Sequence, residues 1–509
     1  MERFIGSETE YGIATPGHTH VSPIVTSTHA VVSYASARGF GEHRVRWDFS
    51  EESPLRDSRG FDLRRYHQAP VVDPHAIGVA NVFITNGARF YVDHAHPEYS
   101  SPEVTNAWDA MVYDAAGDHI LMQAVADTAA FSSQGKSVLD GLDPCPPLKI
   151  YKNNVDGKGA SYGAHENYLV RRDVDFDGLT VSLAPHLLSR QVFCGAGRVG
   201  IGQSGEKPGF QISQRADYIE VLTGLETTLR RGIINTRDEP HAPDETWRRL
   251  HVIIGDANMS ELATYLKIGT TCLVLDAIEA GVDFSDLLPV DPVEAVHVIS
   301  HDPSLQATVP LPDGRHLTGV GLQREILGRV ADVIADGTGH PDWALEVLDQ
   351  WREILDALEE NPMACADRLD WPAKLRLLEG FRTRDSLEWD NARLALIDFQ
   401  YHDIEPDRGL YNRLVAKGAM RRLVTDEQVE AAVTTPPERT RAWARGRFVA
   451  ELGDRVRTAG WDHVVVVDSR GEPRHVDLTD PYTGTRAHCE AEPEFLTPDG
   501  PSPWQAPEH

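Results

Sequence analysis

In the first half of the chain, β-branched and aromatic residues recur in short patches: "RFIGSETEYGI" from Arg3, "VFITNGARFYVD" from Val82, "LKIYKNN" from Leu148, "ENYLVRR" from Glu166, "GFQISQRADYIE" from Gly209 and "RLHVIIGDAN" from Arg249. Such patches read as strands. Longer stretches of helical periodicity lie between and after them, at 225–231, 260–280 and the amphipathic run 343–360. The mixture predicts an α+β fold with a large antiparallel sheet. Residues 38–80, rich in Arg, Asp and Pro, break the pattern and read as a long inserted loop. After about residue 436 the pattern changes again, so we expect one unit over 1–435 and a small C-terminal domain over 436–509.

Composition narrows the functional classes. The chain has 509 residues, 41% hydrophobic and 25% charged, enough for a large core and ordinary for a globular protein. A net charge of -29 disfavours non-specific binding to nucleic acid or to an anionic membrane, and an acidic partner would need a locally basic groove. The five cysteines are odd in number and widely spaced without a C-x-x-C pair, which predicts reduced structural thiols. The N-terminus is charged and the longest apolar runs, such as "VVVV" at 464–467, are far below a membrane span, so a cytoplasmic location is expected.

Two motifs are misleading. "GAGRVG" at 195–200 has the G-x-G-x-x-G spacing, but the Gly- and Pro-rich "IGQSGEKPGF" after it cannot open the helix of a dinucleotide site. "GASYG" at 159–163 follows a loop and precedes a strand-like run, whereas a nucleophile elbow runs from strand to helix.

The carboxylates are more informative. In "SETEYG" the side chains of Glu8 and Glu10 point to the same strand face, and a like-charge pair there is relieved by a bridging divalent cation. In "ARFYVDHAHPEYSSPE", Tyr91 and Asp93 share a face, and Glu98 follows a turn expected to contain Pro97. His165 and Asn167 share another strand face, and "IINTRDEPH" packs Arg237, Asp238, Glu239 and His241 together. Carboxylates that hold magnesium, with arginine forks that grip phosphate, are the chemistry of a metal–nucleotide site. No Walker A sequence is present, so the nucleotide is expected on an open sheet.

"GSETEYG", "TNGARFYVDHAHPEYSSPE", "YKNNVDGKGASYGAHENYLV", "RQVFCGAGRVG", "QISQRADYIE", "IINTRDEPHA" and "RLHVIIGDANMSE" together resemble the Pup ligase/deamidase family. The resemblance spans nearly the whole chain and implies a large curved antiparallel sheet packed with helices, similar to glutamine synthetase and the carboxylate-amine ligases. It implies metal positions at Glu8, Glu10, Tyr91, Glu98 and His241 with His165 nearby, and nucleotide-phosphate positions at Arg215 and Arg237. Asp93 matches the family's essential aspartate. The insertion and the form "DHAHPEY" are similar to the branch that deamidates the C-terminal Gln of Pup, the prokaryotic ubiquitin-like protein, and cleaves the isopeptide between Pup and lysine. The alternative branch ligates Pup to lysine.

The resemblance further implies Mg2+ with ATP, or ADP with phosphate, as a bound cofactor that need not be consumed each turnover, and Pup and pupylated proteins as partners. Asp93 would attack the amide or activate the attacking group, and both roles need its ionised carboxylate. An acidic Pup helix is expected on a basic stripe sought among Arg190, Arg198, Arg230 and Arg231. The insertion is expected to gate the entrance, with Trp47 and Arg56 in transient contacts.

Overall fold

The computed structural model describes residues 2–39, 46–49, 52, 56–59, 73–336 and 340–501. Much of the expected insertion, at 40–45, 50–51, 53–55 and 60–72, therefore lies outside the described residues.

Among the described residues, eight strands form the main sheet: β1 (Ile5–Glu10), β2 (Asn81–Phe83), β3 (Arg89–Asp93), β4 (His96–Ser100), β5 (Ala164–Arg171), β6 (Ile219–Gly224), β7 (Arg231–Asn235) and β8 (Trp247–Val252). Their order is β6-β7-β8-β5-β1-β4-β3-β2, antiparallel throughout except for the parallel β6–β7 pair. The fold is α+β, as the pattern of patches predicts.

Strand alternation sorts the side chains into two faces. Phe90, Val92, Tyr99, Tyr168 and Val170 are buried on one face, where helices α1 (Pro23–Ala37), α2 (Ala107–Ser133) and α3 (Glu261–Glu279) pack. The α2 helix comes so close to β4 that a Cβ on Gly117 would sit 2.6 Å from the Tyr99 ring. The opposite face carries Glu8, Glu10, Tyr91, Asp93, Glu98, His165 and Asn167, brought side by side by the strand register.

Two local expectations are corrected. Residues 225–230 are a bend leading into β7, which begins at Arg231, and not a helix. Leu225 and Leu229 have helical spacing, but Leu229 is 73% exposed, and a short helix with no core to pack against does not hold. Pro97 sits inside β4, opposite Val92, and the hairpin turns instead at His94 and Ala95, with His94 in the left-handed region at φ 51°.

Trp47 is not a transient contact of a gate. It is buried, with its ring 5.5 Å from Phe83 and 5.7 Å from Trp461. Its segment links two sheets, because Arg46 N–H donates to Asn81 of β2 at 2.8 Å while Ala459 N–H donates to the Arg46 carbonyl at 2.8 Å. Ala459 ends the first strand of a three-stranded antiparallel sheet, β9 (Val456–Ala459), β10 (His463–Val467) and β11 (Pro473–Asp477). Arg56 is likewise docked, 2.7 Å from Asp244. All five cysteines are buried and free.

Candidate active site

The polar face is organised by β1. Glu8 lies opposite Ser100 on one side and His165 on the other, and Glu10 lies opposite Glu98, which in turn faces Tyr91. Among the described residues, two groups of ligand-bearing side chains result, Glu8 with His165 and His251, and Glu10 with Asp93 and Glu98. Within each group the potential ligand atoms lie within 4.8 Å of one another. His251, on β8, is a member that the sequence reading missed; its signal was its place in the alternation of "RLHV", but only the register that sets it opposite Asn167 reveals the neighbourhood.

Hydrogen bonds fix the orientation of these groups. Asn167 Nδ2 donates to Glu8 Oε1 at 2.8 Å, and His165 Nδ1 lies 3.2 Å from Glu8 Oε2. The Gly163 N–H donates to Glu10 Oε1 at 2.7 Å, and His96 Nδ1 is 3.1 Å from Glu10 Oε2. At the hairpin tip, His94 Nδ1 lies 3.0 Å from Asp93 Oδ2.

The electrostatics divide the carboxylates. Burial raises the Glu98 carboxyl well above its usual range, and the charges of Asp93, Glu10 and Glu8 add to that rise. Burial and the Glu98 charge likewise raise the Tyr91 phenol. Burial opposes ionisation of Glu8 too, but the His165 hydrogen bond and the nearby His251 outweigh it and hold Glu8 below its usual range. Burial of Asp93 is outweighed in the same way by the His94 hydrogen bond and charge. The site thus pairs an ionised Asp93 with carboxylates whose mutual repulsion a divalent cation would relieve.

Asp93 and His165 line two adjoining cavities. One, of about 430 Å³, is also bordered by Glu8, Tyr91, Glu98, Arg237 and His251. The other, of about 410 Å³, reaches past Glu10 to Arg215 and Arg231. A third cavity, at the far end of Glu8, is lined by His241, Arg249, Arg441 and Trp461.

His241 belongs to neither ligand group. It faces the third cavity, in the left-handed region at φ 48°, with Nδ1 3.4 Å from Asp462 Oδ2. Among the described residues, the buried Nε atoms of Arg237 and Arg249 have no hydrogen-bond partner, while an Arg249 Nη lies 3.4 Å from Glu239. Arg215 is almost fully buried; its Nε donates to the Ile253 carbonyl at 3.0 Å, and burial next to Arg231 lowers its pKa to about 10.

Two arginines sought as a surface stripe are placed elsewhere. Arg190 is buried behind the sheet, 2.6 Å from Glu166, and Arg198 is buried in a hairpin with an Nη donating to the Gln203 carbonyl at 2.8 Å. Arg231 does border the second cavity.

A sheet that gathers carboxylate, phenol and imidazole groups on one face against a helical layer on the other is the scaffold of an open-sheet enzyme. The chain belongs to the Pup-ligase protein family, whose model matches residues 3–465. A relative from Mycolicibacterium smegmatis named Pup deamidase/depupylase is 54% identical over 493 residues, covering 96% of this chain and 97% of that one. The solved complex between the prokaryotic ubiquitin-like protein Pup and its ligase PafA superposes with a TM-score of 0.78 at 32% identity, covering 98% of this chain and 92% of that one. The Pup ligase PafA in complex with ADP superposes with a TM-score of 0.71 at 36% identity, covering 83% and 90%.

Proposed function

We propose that this enzyme hydrolyses the side-chain amide of the C-terminal glutamine of Pup to glutamate, releasing ammonia, and hydrolyses the isopeptide that joins Pup to a target lysine. Both reactions break the same bond between the δ-carbonyl and nitrogen, so one site serves both. The observation that carries this reading is the position of Asp93, an ionised carboxylate at the junction of two cavities. The relative named Pup deamidase/depupylase, at 54% identity over nearly the full chain, supports the hydrolytic activity over the ligation named for the two PafA structures, at 32% and 36%.

In this reading Glu8, Glu10, Tyr91, Glu98, His165 and His241 hold magnesium, and Arg237 and Arg215 meet nucleotide phosphates, with ATP or ADP and phosphate as cofactor. Bound magnesium would neutralise the clustered carboxylates and polarise the scissile carbonyl. Asp93 attacks the δ-carbonyl or activates the group that does, and His94 keeps its carboxylate ionised and oriented. His241 stands at the Glu8 end with Arg441 and Trp461. We assign residues 1–435 to the catalytic unit and 436–509 to a smaller unit that closes this end. Pup and pupylated proteins are the partners, and the cytoplasm is the location; among the described residues, no helix is long and apolar enough to cross a membrane.

The test is incubation with Pup ending in Gln, magnesium and either ATP or a non-hydrolysable analogue. Intact mass is followed beside an Asp93→Asn control. A gain of about one dalton with either nucleotide, lost in the variant, is expected. ATP-dependent attachment of the Glu form of Pup to lysine, without deamidation, would instead make the chain a ligase.

A further inference from the structure

The hydrolytic reading leaves His96 without a role, although His96 stands directly opposite Asp93 in the β3–β4 pair. Facing residues of such a pair lie on the same side of the sheet. Both line the second cavity, together with Glu10 and Tyr162. We propose that His96 Nε2 accepts a hydrogen bond from the nitrogen of the scissile amide, which makes His96 a catalytic residue that selects substrates with an N–H on the leaving group. The inference rests on the hydrolytic reading and adds to it how the departing nitrogen is recognised.

The ring is fixed on two sides. Its Nδ1 lies 3.1 Å from Glu10 Oε2, and Glu10 is itself held by the Gly163 N–H at 2.7 Å. A carboxylate oxygen accepts, so Nδ1 carries the hydrogen and the neutral ring presents Nε2 as an acceptor. One face of the ring stacks on Tyr162, with centroids 4.2 Å apart and planes 29° from parallel. Tyr162 is a firm base, buried and with its hydroxyl donating to Asn153 Oδ1 at 2.5 Å. Among the described residues Nε2 has no hydrogen-bond partner, and the His96 side chain keeps 23% of its surface exposed. The chain therefore orients an acceptor that it does not itself use. His94, at the hairpin tip, is 68% exposed, and His165 is turned to Glu8.

This acceptor suits both reactions. The primary amide of glutamine and the isopeptide of lysine each carry an N–H on the bond that breaks, whereas the glutamate product has none there. A site built to pair with an N–H disfavours an analogue that lacks it. The role requires no change of charge on the ring.

The test compares two isosteric substrates, Pup ending in glutamate γ-methylamide, with one N–H, and Pup ending in glutamate γ-methyl ester, with oxygen in its place. Each is incubated with magnesium and ATP and followed by intact mass. His96→Ala should lower kcat/KM for the methylamide by about 10–100-fold and for the ester by less than about threefold. Retained ester hydrolysis reports that the site is still folded. Equal falls for the two substrates would mean that His96 acts through Glu10 or through packing, and would overturn the proposal. A second arm uses wild type alone: the γ-dimethylamide, which has no N–H, should be cleaved at least about tenfold more slowly than the methylamide. Equal rates there overturn the proposal whether or not His96→Ala folds. Either adverse result in a wild type that cleaves the methylamide rejects this inference alone, whereas a wild type inert towards methylamide and ester alike rejects the hydrolytic reading and the inference with it.

Discussion

Glu10 and Glu98 stand directly opposite one another across the β1–β4 pair, and both are buried. Burial and the charges of Asp93, Glu10 and Glu8 oppose ionisation of Glu98, so an ionised Glu98 costs the metal-free sheet stability that a cation restores. Glu98→Gln should therefore raise the unfolding temperature in chelator. The same variant should lose most of the stabilisation that wild type gains from magnesium, which is about 2.7 kcal/mol at one hundred times the dissociation constant. Thermal denaturation with and without magnesium checks both halves. A variant less stable than wild type in chelator would mean that the pair is not repulsive.

Glu103 links the main sheet to the C-terminal segment. Arg441 Nε lies 2.8 Å from it, and Arg445 pairs with its other oxygen. Burial opposes the charge, but Arg445 and Arg441 outweigh it and bring the carboxyl to about 2 from an ordinary 4.5. A lowered carboxyl contributes stability that is fully present above the unfolded value of 4.5 and is lost as pH falls through about 2. The shift corresponds to about 3 kcal/mol. Urea denaturation should show Glu103→Gln less stable than wild type by roughly that amount at neutral pH. The gap should close as pH falls from 4.5 towards 2; a gap independent of pH would separate Glu103 from this linkage.

How much of this was legible depended on the distance over which each feature is determined. The faces of Glu8 and Glu10, and of Tyr91 and Asp93, follow from a period of two within a single strand and could be read directly. Membership of His251 depends on β8 pairing with β5, a relation between segments about eighty residues apart that no local pattern contains. Arg190 reads as a solvated charge until Glu166 is placed beside it at 2.6 Å. Trp47 falls in a polar, irregular stretch, and only its bridge to Ala459 makes it part of the core. His241 lines a cavity with Glu8 and Arg441, its backbone left-handed and its Nδ1 3.4 Å from Asp462, a placement that sequence spacing does not give.

The Glu166–Arg190 pair supports the sheet from behind. Glu166 accepts from both Arg190 Nη atoms, at 2.8 and 2.6 Å, and from the Tyr168 hydroxyl at 2.5 Å, in an environment with almost no solvent. Arg190→Met leaves a buried carboxylate without its cation and should cost about 3–5 kcal/mol in denaturant titrations. Adding Glu166→Gln should recover much of that loss. Equal losses in the single and double variants would show that Arg190 acts through packing rather than charge.

The final prediction concerns the hairpin tip, where His94 is forced into a left-handed backbone while its ring meets Asp93. The Asp93 hydrogen bond and charge raise His94 to about 9, so the imidazolium persists through neutral pH. In return, His94 outweighs the burial of Asp93 and keeps its carboxylate ionised to lower pH. His94→Ala removes that help while burial remains, so the acid limb of Pup deamidation should move to higher pH. Because Asp93 is still present, the plateau rate should fall by less than about tenfold, whereas Asp93→Asn should lose about 10²–10⁴-fold or more. Rates of Gln-to-Glu conversion across pH 4 to 9, measured by intact mass, check the order of effects. An unmoved acid limb in His94→Ala would remove His94 from the control of Asp93, and an unimpaired Asp93→Asn would remove Asp93 from the chemistry.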